Sequence, residues 1–162
     1  MAPETKLPVT HESMAMVETV RSILKNKGNQ VWSLSPEASV YDAISLMAEK
    51  RVGALLVLSH EKLVGIISER DYARKVILKG HSSREMQVQE IMSRSLVTVT
   101  AENTVGECMR TMTDHRVRHL PVFDGETLAG VISIGDVVRA TISAQADTIR
   151  QLSNYISGEY PA

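Results

Sequence analysis

Two short stretches bring together residue types that can do chemistry. Gly65-Ile66-Ile67-Ser68-Glu69-Arg70-Asp71 runs from an apolar strand pattern into a helix start, and it returns 65 residues later as Gly130-Val131-Ile132-Ser133-Ile134-Gly135-Asp136. In each, a hydroxyl and a carboxylate stand three residues apart, Ser68 with Asp71 and Ser133 with Asp136. A carboxylate can accept two hydrogen bonds from a cis-diol, and a charged acceptor makes the stronger bond. The helix start beside it offers free amides and the positive end of a dipole to an anion. Arg70 adds a forked cation suited to phosphate, which its counterpart Gly135 cannot. Either Asp would repel a 2′-phosphate, which disfavours NADP. The plainer role is a capping box, each side chain bonding the other residue's backbone amide. An isolated instance favours capping. Repetition at matched strand ends favours a ligand role at one or both sites, and the two roles are compatible.

The elements that position these residues also repeat. Val31–Arg74 slides onto Leu96–Arg139 without a gap, and 14 of 44 positions are identical, among them Val40/Val105, Met47/Met112, Arg51/Arg116, Leu55/Leu120 and Gly65/Gly130. The shared apolar positions predict a shared fold. A helical lead precedes each copy, Met16–Lys25 and Gln87–Met92. A short extended piece follows, Val31–Leu34 or Leu96–Val99. Ser39/Asp42 and Thr104/Glu107 read as capping boxes. The next helix puts Val40, Ala43, Ile44 and Met47 on one stripe, matched by Val105, Cys108, Met109 and Met112. Strands Ala54–Leu58 and Leu63–Ile67 match His119–Phe123 and Leu128–Ile132, with a tight turn at Asp124-Gly125. Helices Arg70–Lys79 and Asp136–Ser143 close the copies. Gln145–Tyr155 reads as a last helix packing back on the body. The expected boundaries are a loose lead over 1–13, a first unit with its leading helix over 14–80, a second over 81–144, and a helix and tail over 145–162. Each copy is thus β-α-β-β-α, an α+β unit of about 55 residues that exposes too much surface to stand alone. Two units related by a pseudo-twofold axis and packed sheet to sheet, flanked by terminal helices, would create two equivalent clefts.

Bulk properties exclude several classes. The chain has 162 residues, 43% of them hydrophobic, and a net charge of −1, so no basic field points to nucleic acid or an anionic membrane. The single cysteine, Cys108, excludes an internal disulfide framework and suits a reducing cytoplasm. No apolar run reaches transmembrane length, and the N-terminus lacks the apolar core of a secretory signal. A cytoplasmic bacterial protein is the expectation; an organellar one stays open.

The Gly-h-h-Ser-x-x-Asp junctions (h, apolar), Val-x-Glu-Ile-Met before the second copy and Arg118-His119-Leu120-Pro121-Val122 within it resemble a tandem cystathionine-β-synthase (CBS) domain pair, a Bateman module, over about Leu24 to Ala144. Ser68–Lys75 and Ser133–Asp136 look most like small stand-alone bacterial CBS-pair proteins. The resemblance implies a regulatory module binding adenosine-containing ligands between its units: AMP first, or ADP, ATP, NAD(H) or S-adenosylmethionine, with no metal required. By the family's pattern Asp71 and Asp136 hold ribose hydroxyls, and Ser68, Ser133, Arg70 and Gly135 stand where the phosphate or ribose is met. Val52-Gly53-Ala54 and Val117-Arg118-His119 would line the base and phosphate regions, with Val31 beside Trp32 near the adenine entrance. It also implies a homodimer, and a regulated protein partner that the sequence does not identify.

Arg70 opposite Gly135 makes the two sites unequal, the second depending on Arg118 and His119. His115 and His119 flank a turn into a strand and do not read as a metal pair. Cys108 and the methionines Met47, Met109 and Met112 read as core filling. Trp32 reads equally as a base-stacking platform or as a half-buried packing residue. No P-loop, dinucleotide fingerprint or nucleophile–base pair is present. The favoured function is therefore a non-catalytic sensor. The alternatives are a partner-binding scaffold with vestigial clefts and, below it, a nucleotide hydrolase using Asp71 or Asp136.

Overall fold

The computed structural model describes residues 18–157. The lead over 1–13, the start of the leading helix over 14–17 and the tail from Gly158 lie outside the described residues. The elements run α1 (Val20–Lys27), β1 (Ser33–Leu34), α2 (Val40–Lys50), β2 (Ala54–Ser59), β3 (Lys62–Ser68), α3 (Glu69–Tyr72) leading into a π-helical turn (Ala73–Ile77), α4 (Val88–Ile91), β4 (Val99–Thr100), α5 (Val105–His115), β5 (His119–Asp124), β6 (Thr127–Ser133) and α6 (Ile134–Ser157). The fold is mixed α+β with two three-stranded sheets, ordered β1-β2-β3 and β4-β5-β6.

The two sheets share one register. In each, the first strand is parallel to the second and the second antiparallel to the third, so Ala54 faces Ser68 and His119 faces Ser133. Both carry a bulge, at Val57/Leu58 and at Val122/Phe123. The hairpin of the first sheet turns through His60 and Glu61, both in the left-handed region; the second uses Gly125 there. Two left-handed residues match the strand twist, which is why this turn favours glycine or a small polar residue.

The described residues divide into two compact units, a first of Gln30–Thr98 and a second combining residues 18–29 with 99–157. The leading helix, expected with the first repeat, thus belongs with the second. The Val20 and Arg21 amides donate to the Asn103 and Ala101 carbonyls, and Arg21 pairs with Asp124 and Glu102. Conversely, the α4 segment completes the first unit: the Val88 amide donates to Ala38, and Ser93 pairs with Ile66. Two glycines permit this close packing. A Cβ on Gly65 would fall 2.6 Å from Met92 Sδ, and one on Gly130 would fall 2.9 Å from Leu24 Cδ2.

The first core gathers Val40, Ala43, Met47, Leu55, Val57, Ile67, Val76, Val88 and Ile91. The second holds the equivalent Val105, Cys108, Met112, Leu120, Val122 and Ile132, with Val20 and Ile23 from α1. Met109 departs from the expected stripe: it is 44% exposed and fills no core. The caps at α2 and α5 are half-boxes. Ser39 and Thr104 accept from the Asp42 and Glu107 amides, but the Glu107 carboxylate takes Asn103 instead of the return bond. The two helices expected over 136–155 are one 24-residue helix, because no Gly or Pro follows Asp136 within it. Its distal apolar residues Ile149, Leu152 and Ile156 are exposed, so it does not pack back as expected.

Candidate functional site

Each β-hairpin ends where a helix begins, and the Ser-x-x-Asp pairs sit on those ends. At the first junction the Asp71 Oδ2 accepts from the Ser68 amide at 2.9 Å and from Ser68 Oγ at 3.0 Å, while the Asp71 amide donates to Ser68 Oγ at 3.3 Å. The second repeats this at 2.8, 3.1 and 3.3 Å between Ser133 and Asp136. The capping role is therefore present at both.

Backbone bonds bring the expected lining loops to these points. The Glu69 amide donates to the Gly53 carbonyl at 3.0 Å, and the Ile134 amide to the Arg118 carbonyl at 2.8 Å. With the strand register, this sets Val52-Gly53-Ala54 beside Ser68 and Val117-Arg118-His119 beside Ser133. Val31 precedes β1; carrying the parallel register back two residues sets it level with Ala54. Trp32 is half-buried against the first core with Lys50 Nζ 4.4 Å from its ring centre, an arrangement that fits the packing role.

The carboxylates differ in what surrounds them. Among the described residues Asp71 meets one cation, Lys75 Nζ at 3.2 Å from Oδ1, and that ammonium also donates to the Ile91 carbonyl at 2.7 Å. Asp136 meets two. Lys27 Nζ donates to Oδ2 at 2.6 Å and to the Val131 carbonyl at 2.8 Å, and Arg139 Nη2 donates to Oδ1 at 2.6 Å. The Asp136 side chain is 5% exposed, against 18% for Asp71. Burial alone would raise the Asp136 pKa, but the Lys27 bond, the Ser133 amide and the Lys27 charge together hold it below the ordinary carboxylate value. His119 is pushed below its ordinary value by burial and then by the Lys27 charge, with Asp136 opposing, so its ring is neutral near pH 7. Arg70 is half-buried and, among the described residues, makes no ion pair. Gly135 leaves its space to Arg139, whose Nη1 would lie 3.4 Å from an added Cβ.

Sequence reasoning missed the cations at these carboxylates. Lys75 and Arg139 follow their aspartates by four and three residues, a spacing that could have flagged them. Lys27 lies 109 residues from Asp136 and gave no such signal. Cys108 and His115 are held in packing and local bonding. Cys108 is fully buried and its thiol is pushed up to about 11, by burial first and Glu107 second, which suppresses the thiolate. The His115 ring bonds the Thr111 carbonyl at 3.0 Å. Among the described residues no three His, Cys, Asp or Glu side chains cluster as metal ligands, and no helix is long and apolar enough to cross a membrane.

Beside Asp136 lies an open cavity of about 390 Å³ lined by Glu18, Ile23, Asn26, Lys27, Arg139 and Ser143. Its size falls within the usual range of small-molecule sites.

Comparison with known proteins agrees with the duplicated architecture. The family model for the CBS domain matches twice, over residues 20–78 and 88–143. A mitochondrial CBS domain-containing protein of Arabidopsis thaliana, CBSX3, is 40% identical over 152 residues, covering 88% of this chain and 73% of that one. A CBS-domain structure from Burkholderia ambifaria MC40-6 superposes with a TM-score of 0.75 at 48% identity, covering 77% of this chain and 94% of the other. At fold level the CBS pair of protein MJ0100, in complex with 5′-methylthioadenosine and S-adenosylmethionine, gives a TM-score of 0.66 at 22% identity over 76% of this chain and 94% of that one. The duplicated strand–helix junctions thus sit in two copies of a known domain, and the chain belongs to the CBS-domain family as a tandem pair.

Proposed function

We propose that this chain is a regulatory sensor that binds adenosine-containing small molecules at its strand–helix junctions and carries out no reaction of its own. AMP is the first candidate, followed by ATP, ADP, NAD(H) and S-adenosylmethionine. The observation that supports this most is the first junction. There a carboxylate at a helix start, oriented by its own serine, keeps acceptor capacity on Oδ1 beside Arg70, which makes no ion pair among the described residues. Asp71 suits ribose hydroxyls and Arg70 a phosphate. Ser68, Val31 and Val52-Gly53-Ala54 complete that site. Ser133, Gly135, Asp136 and Val117-Arg118-His119 form the second. The ligands held by MJ0100 are precedent for the fold, not for this chain. A cytoplasmic homodimer acting on a regulated protein partner completes the reading, with the exposed stripe of α6 available for pairing.

One observation favours the scaffold alternative: the Asp136 acceptors are already engaged by Ser133, Lys27 and Arg139. Mass spectra of the denatured, freshly purified chain separate the readings, because copurified nucleotide is expected only for a sensor. Calorimetry then ranks AMP, ADP, ATP, NAD(H) and S-adenosylmethionine. If none binds below millimolar, and Asp71→Ala and Asp136→Ala change nothing, the sensor reading is lost.

A further inference from the structure

We propose that the second junction takes only a phosphorylated adenosine ligand, and that Lys27 and Arg139 impose that requirement. The inference rests on the adenosine reading above and concerns what each carboxylate can still accept. A carboxylate offers about four lone-pair positions. Asp136 Oδ2 already receives three donors, the Ser133 amide, Ser133 Oγ and Lys27 Nζ, and Oδ1 receives Arg139 Nη2. A ribose cis-diol brings two donors and finds no pair of free positions, so Lys27 or Arg139 must leave first.

Neither cation leaves without compensation. Asp136 is 5% exposed, and stripping its ion pairs would leave a buried charge served only by Ser133. Lys27 would also abandon the Val131 carbonyl. Adenosine offers hydroxyls to Asp136 but only neutral acceptors, and no negative charge, to the released cations. A nucleoside phosphate offers both in one molecule. Lys27, with its side chain 37% exposed, and Arg139, 73% exposed, already stand on the wall of the cavity, where they can turn from carboxylate to phosphate without rearrangement of the backbone. Asn26 and Ser143 line the same wall and add neutral donors.

Glu18 limits what else can enter. It lines the cavity and its carboxylate accepts from Ser22 Oγ at 3.4 Å. The charged lining residues, Lys27 and Arg139 against Asp136 and Glu18, therefore sum to zero. Inorganic phosphate alone gains little there, because it brings no cis-diol to replace the cations on Asp136 and its negative charge is repelled by that carboxylate. The first junction lacks this arrangement, since Lys75 is the single cation on Asp71 and Arg70 is unpaired among the described residues. It should accept adenosine and its phosphates alike, apart from the contribution of Arg70.

The test uses the full chain, stripped of nucleotide, in an Asp71→Ala background that silences the first junction. Calorimetry with adenosine and AMP should give AMP at least about tenfold tighter, with inorganic phosphate not binding. Adding Lys27→Met or Arg139→Gln should bring the two ligands within about threefold of each other, adenosine gaining as AMP loses. Arg139→Gln alters a solvent-exposed side chain, so it carries the test if Lys27→Met does not fold. A ratio near one before these changes, a ratio that neither variant moves, or binding of inorganic phosphate alone overturns the proposal. AMP binding to the wild-type chain but not to Asp71→Ala overturns it too, while leaving the first junction intact. AMP binding to neither chain sinks the adenosine reading itself, and this inference with it.

Discussion

The two junctions make the same three hydrogen bonds, at 2.9, 3.0 and 3.3 Å in one and 2.8, 3.1 and 3.3 Å in the other. They then diverge. Beyond Asp71 the helix widens into a π-helical turn over Ala73–Ile77 and stops; beyond Asp136 an α-helix continues, 24 residues long in all. Asp71 is paired by a lysine of its own helix, Asp136 by an arginine of its helix and a lysine of α1. The repeat therefore dictates the frame, while the cations that reach each carboxylate differ between the copies. Arg74 and Arg139 make the point from within the repeat. They are the same residue at equivalent positions, yet Arg139 lies on Asp136 while Arg74 is exposed and Lys75 takes the matching role.

The largest expected difference is in stability. Asp136→Ala removes a cap and strands Lys27 and Arg139, at a cost of about 2–3 kcal/mol. Asp71→Ala removes a cap and one looser pair, about 1 kcal/mol. Urea denaturation of the two variants measures this directly. Equal losses would mean that the cations on Asp136 contribute nothing and that the junctions differ only in appearance.

Next comes the packing of the two leads. An added methyl at Gly65 meets Met92 Sδ at 2.6 Å and the Ser93 carbonyl oxygen at 3.0 Å, and that backbone is fixed by its bonds to Ile66. At Gly130 the neighbour is the end of Leu24, which can change rotamer. Gly65→Ala should therefore cost about 1–3 kcal/mol and Gly130→Ala less than about 1 kcal/mol. The reverse order would show α1 to be the more rigid lead.

Acid should separate the units further, by up to about 1.4 kcal/mol per pH unit for one proton. His119 is lowered from 6.5, so the unfolded chain takes up a proton that the folded ring resists. Stability is then complete above that value and falls as pH drops through it. Asp136 is lowered from 3.8, and its contribution disappears as pH falls below that point. The first unit has Ala54 where the second has His119, so it lacks the upper stage. His119→Gln should flatten the upper limb of a stability–pH curve, and Lys27→Met should shrink the lower one. A curve unchanged by His119→Gln would remove the buried ring as its cause.

Much of this was legible in the sequence, for a physical reason. Core spacing and the capping pair are local patterns, so helical periodicity alone places Val40, Ala43 and Met47, with their counterparts Val105, Cys108 and Met112, on stripes that are indeed buried. The loops at Gly53 and Arg118 were expected from the family resemblance, and strand pairing sets them beside Ser68 and Ser133. What stayed hidden depends on long-range assembly. The packing of α1 on the second sheet requires Arg21 to find Asp124 across 103 residues, and Lys27 to find Asp136 across 109. The continuity of α6 was missed for the opposite reason. Its pattern of apolar residues breaks near Ala144, but nothing in the backbone does, and a helix needs a breaker to stop.

The smallest expected effect concerns that extension. In the first unit the corresponding helix ends at Ile77, so the turns of α6 beyond Ala144 have no equivalent there. Ile149, Leu152 and Ile156 are exposed along them, and the last buried residue of the helix is Ala140. Ending the chain after Ala144 removes little buried apolar area and should move the urea midpoint by less than about 0.5 kcal/mol equivalent. The same truncation makes the two units alike at their helix ends, so it asks whether the extension serves folding or association. Sedimentation velocity of the full and shortened chains answers it. A lighter species with an unchanged midpoint assigns the exposed stripe to contact between copies. A large loss of stability with no change in mass would mean that the distal turns are held by the unit after all, and that the second junction owes part of its rigidity to them.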